Sequence, residues 1–264
     1  WSYQVYENSL RITLKQLRWV VLGLAIMVGL MFVPYDLWQK AAVPIMGGTL
    51  VILILVLLVG QKRFGAQRSF FGGSIHPSEI AKLSTIIYIS AWLSSKGEQI
   101  RNLTYGLVPF ALLVSLVAGL IVLQPDIGTA ILICATSVVV FFFAGADLFQ
   151  LTIGGTVGAA TLFLLVTRVP HASERINEWL ELWRSPELAG HQMQQTLIAL
   201  GSGGMFGVGL GQGQQKLGYL PTQHTDTIFA VLGEEAGLVG CLAVIALFVW
   251  FAYRGFKITM NAQE

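Results

Sequence analysis

The chain has 264 residues, a net charge of +2, and 11% charged beside 55% apolar residues, less than half of the roughly 25% charge usual in a soluble domain. That balance excludes a disordered chain and a disulfide-stapled secreted fold, and with no basic run longer than two residues it excludes a nucleic-acid binder. The deficit of charge is concentrated in about seven stretches of roughly 15 to 25 apolar residues, the length that crosses a bilayer.

The sequence therefore predicts an all-α polytopic membrane protein with spans near 17–33, 41–59, 79–95, 105–123, 128–145, 149–166 and 227–253. Helix breakers mark their ends: Pro34 closes the first, Gly60 the second, Lys96-Gly97 the third and Gly145 the fifth, while Pro125 parts the fourth from the fifth. Cys134 and Cys241 both fall inside spans and are expected to be buried free thiols. The chain opens at Trp1, without Met or a cleavable signal pattern, and is expected to be a piece of a longer protein.

Successive spans put loops on alternating sides of the membrane. One side receives the N-terminal segment, residues 60–78, the Gln124-Pro125-Asp126 turn and the stretch 167–226; the other receives short links and the C-terminal tail. All four histidines (His76, His171, His191, His224) lie on the first side, as does a loop far longer than a helix connection requires. That side also holds the larger share of cations, Arg11, Lys15, Arg18, Lys62, Arg63, Arg68, Arg168, Arg175, Arg184 and Lys216 against Lys40, Lys96, Arg101, Arg254 and Lys257. The positive-inside rule alone would make it cytoplasmic, but the rule weakens in long loops. The same cations suit an anionic substrate such as a lipid pyrophosphate, so charge leaves orientation open.

Three constellations carry chemistry. In His76-Pro77-Ser78-Glu79-Ile80-Ala81-Lys82, Pro77 suits the first helical turn, and three-residue spacing puts Glu79 and Lys82 on one face as an ion pair. Such a pair at a helix mouth either pins packing or faces a substrate. In Gln124-Pro125-Asp126-Ile127-Gly128-Thr129, Asp126 stands at a helix N-terminus and reads as a cap or as a substrate contact. Residues 201–213 (GSGGMFGVGLGQG) lack the spacing of a nucleotide loop, so the glycines are expected to permit close backbone approach in a packed re-entrant or surface loop. Lys216, His224, Thr225 as N-cap and Asp226 in the first turn of the last span follow, with Glu234 and Glu235 two turns deeper. Two carboxylates inside a span need partners or a wet cavity. Ser173 to Trp183 reads as an amphipathic helix lying in the interface plane. No HExxH or clustered Cys/His pattern occurs, so the metal ligands are unknown; scattered carboxylates leave room for Mg²⁺ or Mn²⁺.

These motifs, in this order, resemble the SEDS family (shape, elongation, division and sporulation), the polytopic cell-wall polymerases typified by FtsW and RodA. The likeness runs along the whole chain and is most specific at LGSGGMFGVGLGQGQQKLGYLPTQHTDTIFAVLGEEAGLVG, residues 200–240, whose GLG, QQK and GEE wording looks closer to the FtsW branch. The chain departs from the family pattern at Ser69, His76, His191 and Thr227. The resemblance implies the second to eighth helices of a ten-helix fold in the bacterial cell membrane, with the loop 167–226 extracytoplasmic. It implies a peptidoglycan glycosyltransferase that polymerises lipid II for cell division or cell shape, with Asp226, which matches the family's essential loop aspartate, catalytic; by their charge and placement on the same side, Arg68, Glu79, Lys82, Asp126, Lys216 and His224 are expected to bind the substrate. Partners implied are a class B penicillin-binding transpeptidase and membrane proteins of the divisome or elongasome. The rival readings are a lipid II flippase, kept alive by Glu234 and Glu235, and a non-catalytic scaffold. The clustering of polar groups on one surface favours the enzyme.

Overall fold

The computed structural model describes residues 2–59, 61–63, 66–69, 76–168, 190–214 and 226–261, together with Ser173, Asn177, Trp179 and Leu180. Its contacts fall into two compact units, Trp1–Leu162 and Phe163–Glu264.

The first unit opens with α1 (Ser2–Leu30) and α2 (Tyr35–Val59), separated by the turn at Pro34. α2 starts earlier than its apolar run, because Asp36 in the first turn suits the positive end of the helix dipole. Along it Ala42, Met46, Thr49, Leu53 and Val56 recur at three- and four-residue intervals and form the buried stripe that packs on α3 (Pro77–Lys96). Between them lies a feature the apolar periodicity did not announce, an antiparallel hairpin of β1 (Gln61–Arg63) and β2 (Ala66–Ser69) that pairs Lys62 with Gln67 and Arg63 with Ala66. All else among the described residues is helix or turn, as the composition requires.

A 3-10 turn at Gly97–Arg101 and a π-turn at Leu103–Leu107 lead into α4 (Val108–Val122), followed by α5 (Ile127–Phe143) and α6 (Leu148–Arg168). One apolar cluster joins Met46, Leu53, Ala81, Val117, Ile121 and Ile133. A second gathers Ile89, Leu93 and Val114 around Phe110 and Phe141, whose rings stack at 4.3 Å. Two fully buried glutamines bracket the ends of these helices: Gln124 Nε2 donates to the Leu53 carbonyl (3.1 Å), and Gln150 Nε2 donates to the Ile100 carbonyl (2.9 Å) while its Oε1 accepts from the Asp147 amide (3.2 Å). The two donated bonds give each buried side-chain amide an acceptor where water does not reach it. Cys134 and Cys241 are free thiols, the first half-buried and the second buried.

Among the described residues, four helical stretches can by length and composition cross a membrane: Thr13–Leu30, Tyr35–Val59, Leu103–Val122 and Ile228–Asn261; Ile127–Phe143 and Leu148–Leu164 are apolar but shorter. α1 buries none of its apolar window, and its Trp19, Leu22 and Ile26 stand exposed, as side chains bathed in lipid would.

The second unit is built on α7 (His191–Ser202), the glycine-rich turns 203–214 and α8 (Ile228–Asn261). Ala199 and Ala230 are both buried where α7 meets α8. The last span, expected as one continuous helix, is interrupted at Gly237, whose φ of 67° and ψ of −166° are non-helical. That conformation belongs almost solely to glycine. The break deprives the Glu234 and Glu235 carbonyls and the Leu238 and Val239 amides of their helical partners, and the glycine-rich turn supplies all four replacements. Val208 N donates to Glu234 O (2.9 Å), Gly209 N to Glu235 O (3.1 Å), Leu238 N to Gly204 O (2.9 Å) and Val239 N to Met205 O (3.2 Å). Backbones this close leave no room for side chains: a Cβ at Gly203 would strike the Gly233 carbonyl, one at Gly207 the Glu235 carbonyl, and one at Gly237 the backbone of Met205 and Gly207. The expectation of a packed glycine loop is met, and its target is the last span.

Replacing Gly237 by alanine is expected to cost about 1–3 kcal/mol from the backbone conformation alone, plus the collision with Met205 and Gly207. Thermal unfolding of the detergent-solubilised protein should show a Tm several degrees lower, whereas Gly47→Ala, a site with open space around it, should leave Tm near the parent value.

Candidate functional site

α3 begins as its sequence requires, with Pro77 in the first turn and His76 exposed at the N-cap, where it makes no side-chain capping bond. One turn on, Lys82 Nζ meets Glu79 Oε2 at 2.6 Å, the i,i+3 pair expected from the spacing. Glu79 is 63% exposed and Lys82 29% exposed, so the pair is open on its acidic side. An exposed pair contributes at most about 1 kcal/mol.

Asp126 is the N-cap of α5, and its Oδ1 accepts from the Thr129 amide at 3.3 Å while its carbonyl accepts from the Ala130 amide. Capping occupies one carboxylate oxygen of a half-exposed residue.

Asp226 lies in the second unit, in the turn entering α8, and is exposed. The sequence placed it in the first helical turn behind a Thr225 cap. The helix instead begins at Ile228, with the Thr227 carbonyl accepting the amides of Ala230 and Val231, so Asp226 stands just outside it. Its carboxylate is consequently presented at the mouth of the helix. Thr225, Lys216, His224 and the side chain of Arg68 lie outside the described residues, although the backbone of Arg68 belongs to β2. Of the amphipathic segment Ser173 to Trp183, Ser173, Asn177, Trp179 and Leu180 are helical, with Trp179 and Leu180 exposed; Ile176 and Trp183 lie outside the described residues.

Sequence reasoning left the partners of Glu234 unnamed. Its side chain is 3% exposed, and Oε1 accepts the Gln214 amide at 2.7 Å. The signal was available: an acid within a span, downstream of a glycine-rich stretch, needs donors, and main-chain amides are the donors such a stretch offers. Among the described residues no three His, Cys, Asp or Glu side chains converge as a metal cradle.

Residues 1–264 match the model of the family described as cell cycle protein FtsW/RodA/SpoVE. The chain belongs to this family. It is 35% identical over 254 residues to a probable peptidoglycan glycosyltransferase FtsW of Trichlorobacter lovleyi, an alignment covering 95% of this chain and 67% of the relative. Its identity to the protein of the same description in Thioalkalivibrio sulfidiphilus is 39%, over 95% of this chain and 64% of that one. A chain of a peptidoglycan synthase complex that coordinates polymerisation and crosslinking superposes with a TM-score of 0.72 at 27% identity, covering 92% of this chain and 68% of that chain. The rod shape determining protein RodA of Thermus thermophilus superposes with a TM-score of 0.59 at 28% identity, over 91% of this chain and 64% of that chain. The chain thus spans about two thirds of the length of these relatives. It is a multi-pass protein of the bacterial inner membrane with the SEDS fold.

The cap at Asp126 predicts a simple stability pattern. Asp126→Ala should cost about 1 kcal/mol, seen as a lower Tm of the solubilised protein, and Asp126→Asn, which still accepts from the Thr129 amide, should restore most of it.

Proposed function

We propose that this chain is the greater part of a peptidoglycan glycosyltransferase that polymerises lipid II, with Asp226 as the general base. The observation that carries the assignment is the exposed carboxylate of Asp226 at the mouth of a helix that the glycine-rich turn holds by backbone bonds. Family membership and the description of the relatives as peptidoglycan glycosyltransferases supply the reaction class.

In the reaction the Asp226 carboxylate takes the proton from the acceptor sugar hydroxyl as that oxygen attacks the anomeric carbon of the donor. The new glycosidic bond forms as the bond from that carbon to the pyrophosphate oxygen breaks, and undecaprenyl pyrophosphate departs with the electron pair. Arg68 and Lys216 are assigned to the departing negative charge. Glu79, Lys82 and Asp126 are assigned to binding the substrate, as is His224, which precedes the base by two residues in the sequence. A Mg²⁺ or Mn²⁺ ion suits this donor set, since such ions bind through one or two carboxylates together with substrate phosphates; Asp226 would hold it, and it would neutralise pyrophosphate charge.

The catalytic face is extracytoplasmic, where the lipid-linked sugar is polymerised, and the partner is a class B penicillin-binding transpeptidase together with other divisome or elongasome membrane proteins. The similarity to a synthase complex supports a partner of that kind. The flippase reading drew on Glu234 and Glu235 as polar groups within a span. Glu234 is engaged by the Gln214 amide inside the protein, which weakens the case for a polar path at that point.

Two experiments on the full-length protein test this reading. Asp226→Asn keeps the size of the side chain but cannot accept the proton, so polymerisation of labelled lipid II should fall by about 100-fold or more, while lipid II binding and expression persist. Turnover near the parent rate would overturn the assignment, and loss of transbilayer lipid movement with polymerisation intact would favour the flippase. For orientation, single cysteines at the exposed Ser202 and Ser95, in a background without Cys134 and Cys241, should react differently with an impermeant reagent on intact spheroplasts. Labelling of Ser202→Cys alone is expected, and labelling of Ser95→Cys alone would invert the topology.

A further inference from the structure

The mechanism above uses Asp226 and leaves unexplained why a buried acid stands farther along the same helix. Glu234 lies in the short helical segment 228–236, between the mouth of α8 and the break at Gly237. From Ile228 to Glu234 that segment spans about 9 Å at 1.5 Å per residue, which leaves Glu234 too far from Asp226 to touch the same reacting atoms. It is also too well enclosed to meet a substrate directly, being 3% exposed.

Its surroundings define a different role. Oε1 accepts the Gln214 amide at 2.7 Å, and a Cβ on Gly213 would lie 2.8 Å from Oε2, so the carboxylate fills the space that the missing side chain leaves. Its carbonyl accepts from Val208 N, and the neighbouring Glu235 carbonyl accepts from Gly209 N. On the opposite side of the loop, Gly203 lies against the Gly233 carbonyl, and α7 lies against the segment through Ala199 and Ala230. The segment is therefore gripped at its C-terminal end by the glycine-rich turn and along its flank by α7, while its N-terminal end carries Asp226.

We propose that Glu234 is a positioning residue: by binding the Gln214 amide it locks the far end of the glycine-rich turn onto segment 228–236 and thereby sets where Asp226 is held. The proposal rests on Asp226 being the base, and it deepens that reading by naming what fixes the base in place. A carboxylate is suited to the task because a charge-assisted bond to a main-chain amide is shorter and stronger than a neutral one. What the role requires is an acceptor at this position, and a glutamine side-chain carbonyl is also an acceptor. A small misplacement of a reacting group lowers turnover steeply without weakening the binding of the remote parts of a substrate.

The test pairs a position readout with kinetics in the full-length protein. Nitroxide labels at Ile198→Cys on α7 and Asp226→Cys, with Cys134 and Cys241 removed, report the place of residue 226 without requiring catalysis. Glu234→Ala should broaden the distance distribution, and in the unlabelled protein it should lower kcat for lipid II polymerisation by about 10- to 100-fold with little change in KM. Glu234→Gln should restore the narrow distribution and most of kcat, with the pH profile of the parent. Should Glu234→Ala fail to fold, Gly213→Ala displaces the carboxylate with Glu234 present and should give the same broadening and the same loss of kcat. An unchanged distribution and parent kcat in Glu234→Ala overturn the proposal. So does a Glu234→Gln variant that stays as inactive as Glu234→Ala, since the charge itself would then be required. A broadened distribution with undiminished turnover upholds the lock and overturns instead the assignment of Asp226 as base.

Discussion

A membrane helix that breaks must find partners for the main-chain groups the break releases, because hydrocarbon offers none. In this protein the break at Gly237 and the glycine-rich turn are two halves of one solution. The turn presents two carbonyls and two amides in the register of the bonds that the helix loses. Much else in the second unit follows from that exchange. Glycine is required where the backbones touch, a short helical segment becomes distinct from the long apolar remainder of α8, and an acidic side chain can be buried because the turn supplies a donor for it.

The first unit meets the same constraint with side chains. Gln124 and Gln150 reach the carbonyls of Leu53 and Ile100, residues distant in sequence, and so join segments that the apolar clusters bring together, with each buried side-chain amide finding an acceptor. Apolar packing sets the spacing of α2 to α5, with Phe110 stacked on Phe141 at its centre, and the two glutamines hold the ends. Each unit places one aspartate at a helix mouth, Asp126 as a cap on α5 and Asp226 just ahead of α8. The helix dipole favours a negative charge at that end.

Hydropathy made the helices of the expected spans legible, although among the described residues four stretches have the length and composition to cross a membrane, and Pro34, Gly97 and Gly145 fell at or beside the ends they were expected to mark. The Glu79–Lys82 pair followed from three-residue spacing, and the cap at Asp126 from its place before an apolar run. Periodicity could not reveal the hairpin at Gln61–Ser69, because its strands are too short and polar to alternate, nor the break at Gly237, because one glycine barely alters the mean hydropathy of an apolar stretch. The entry to α8 was misplaced for a related reason. Thr225 and Thr227 are equally good caps by type, and only the bonds from Ala230 and Val231 to the Thr227 carbonyl distinguish them. The role of Glu234 depends on a contact with a main-chain amide, and side-chain identities alone do not encode such contacts.

The direction of chain synthesis gives the exchange at Gly237 a further consequence. The groups that complete the break, at Gly204, Met205, Val208 and Gly209, all precede Glu234 to Val239 in the sequence. A chain made from its N-terminus has already synthesised these partners before the broken helix is finished. The bare carbonyls and amides of the break therefore never have to wait in the bilayer for a segment still to be translated. In the reverse order of loop and helix, the same contacts would expose them during insertion.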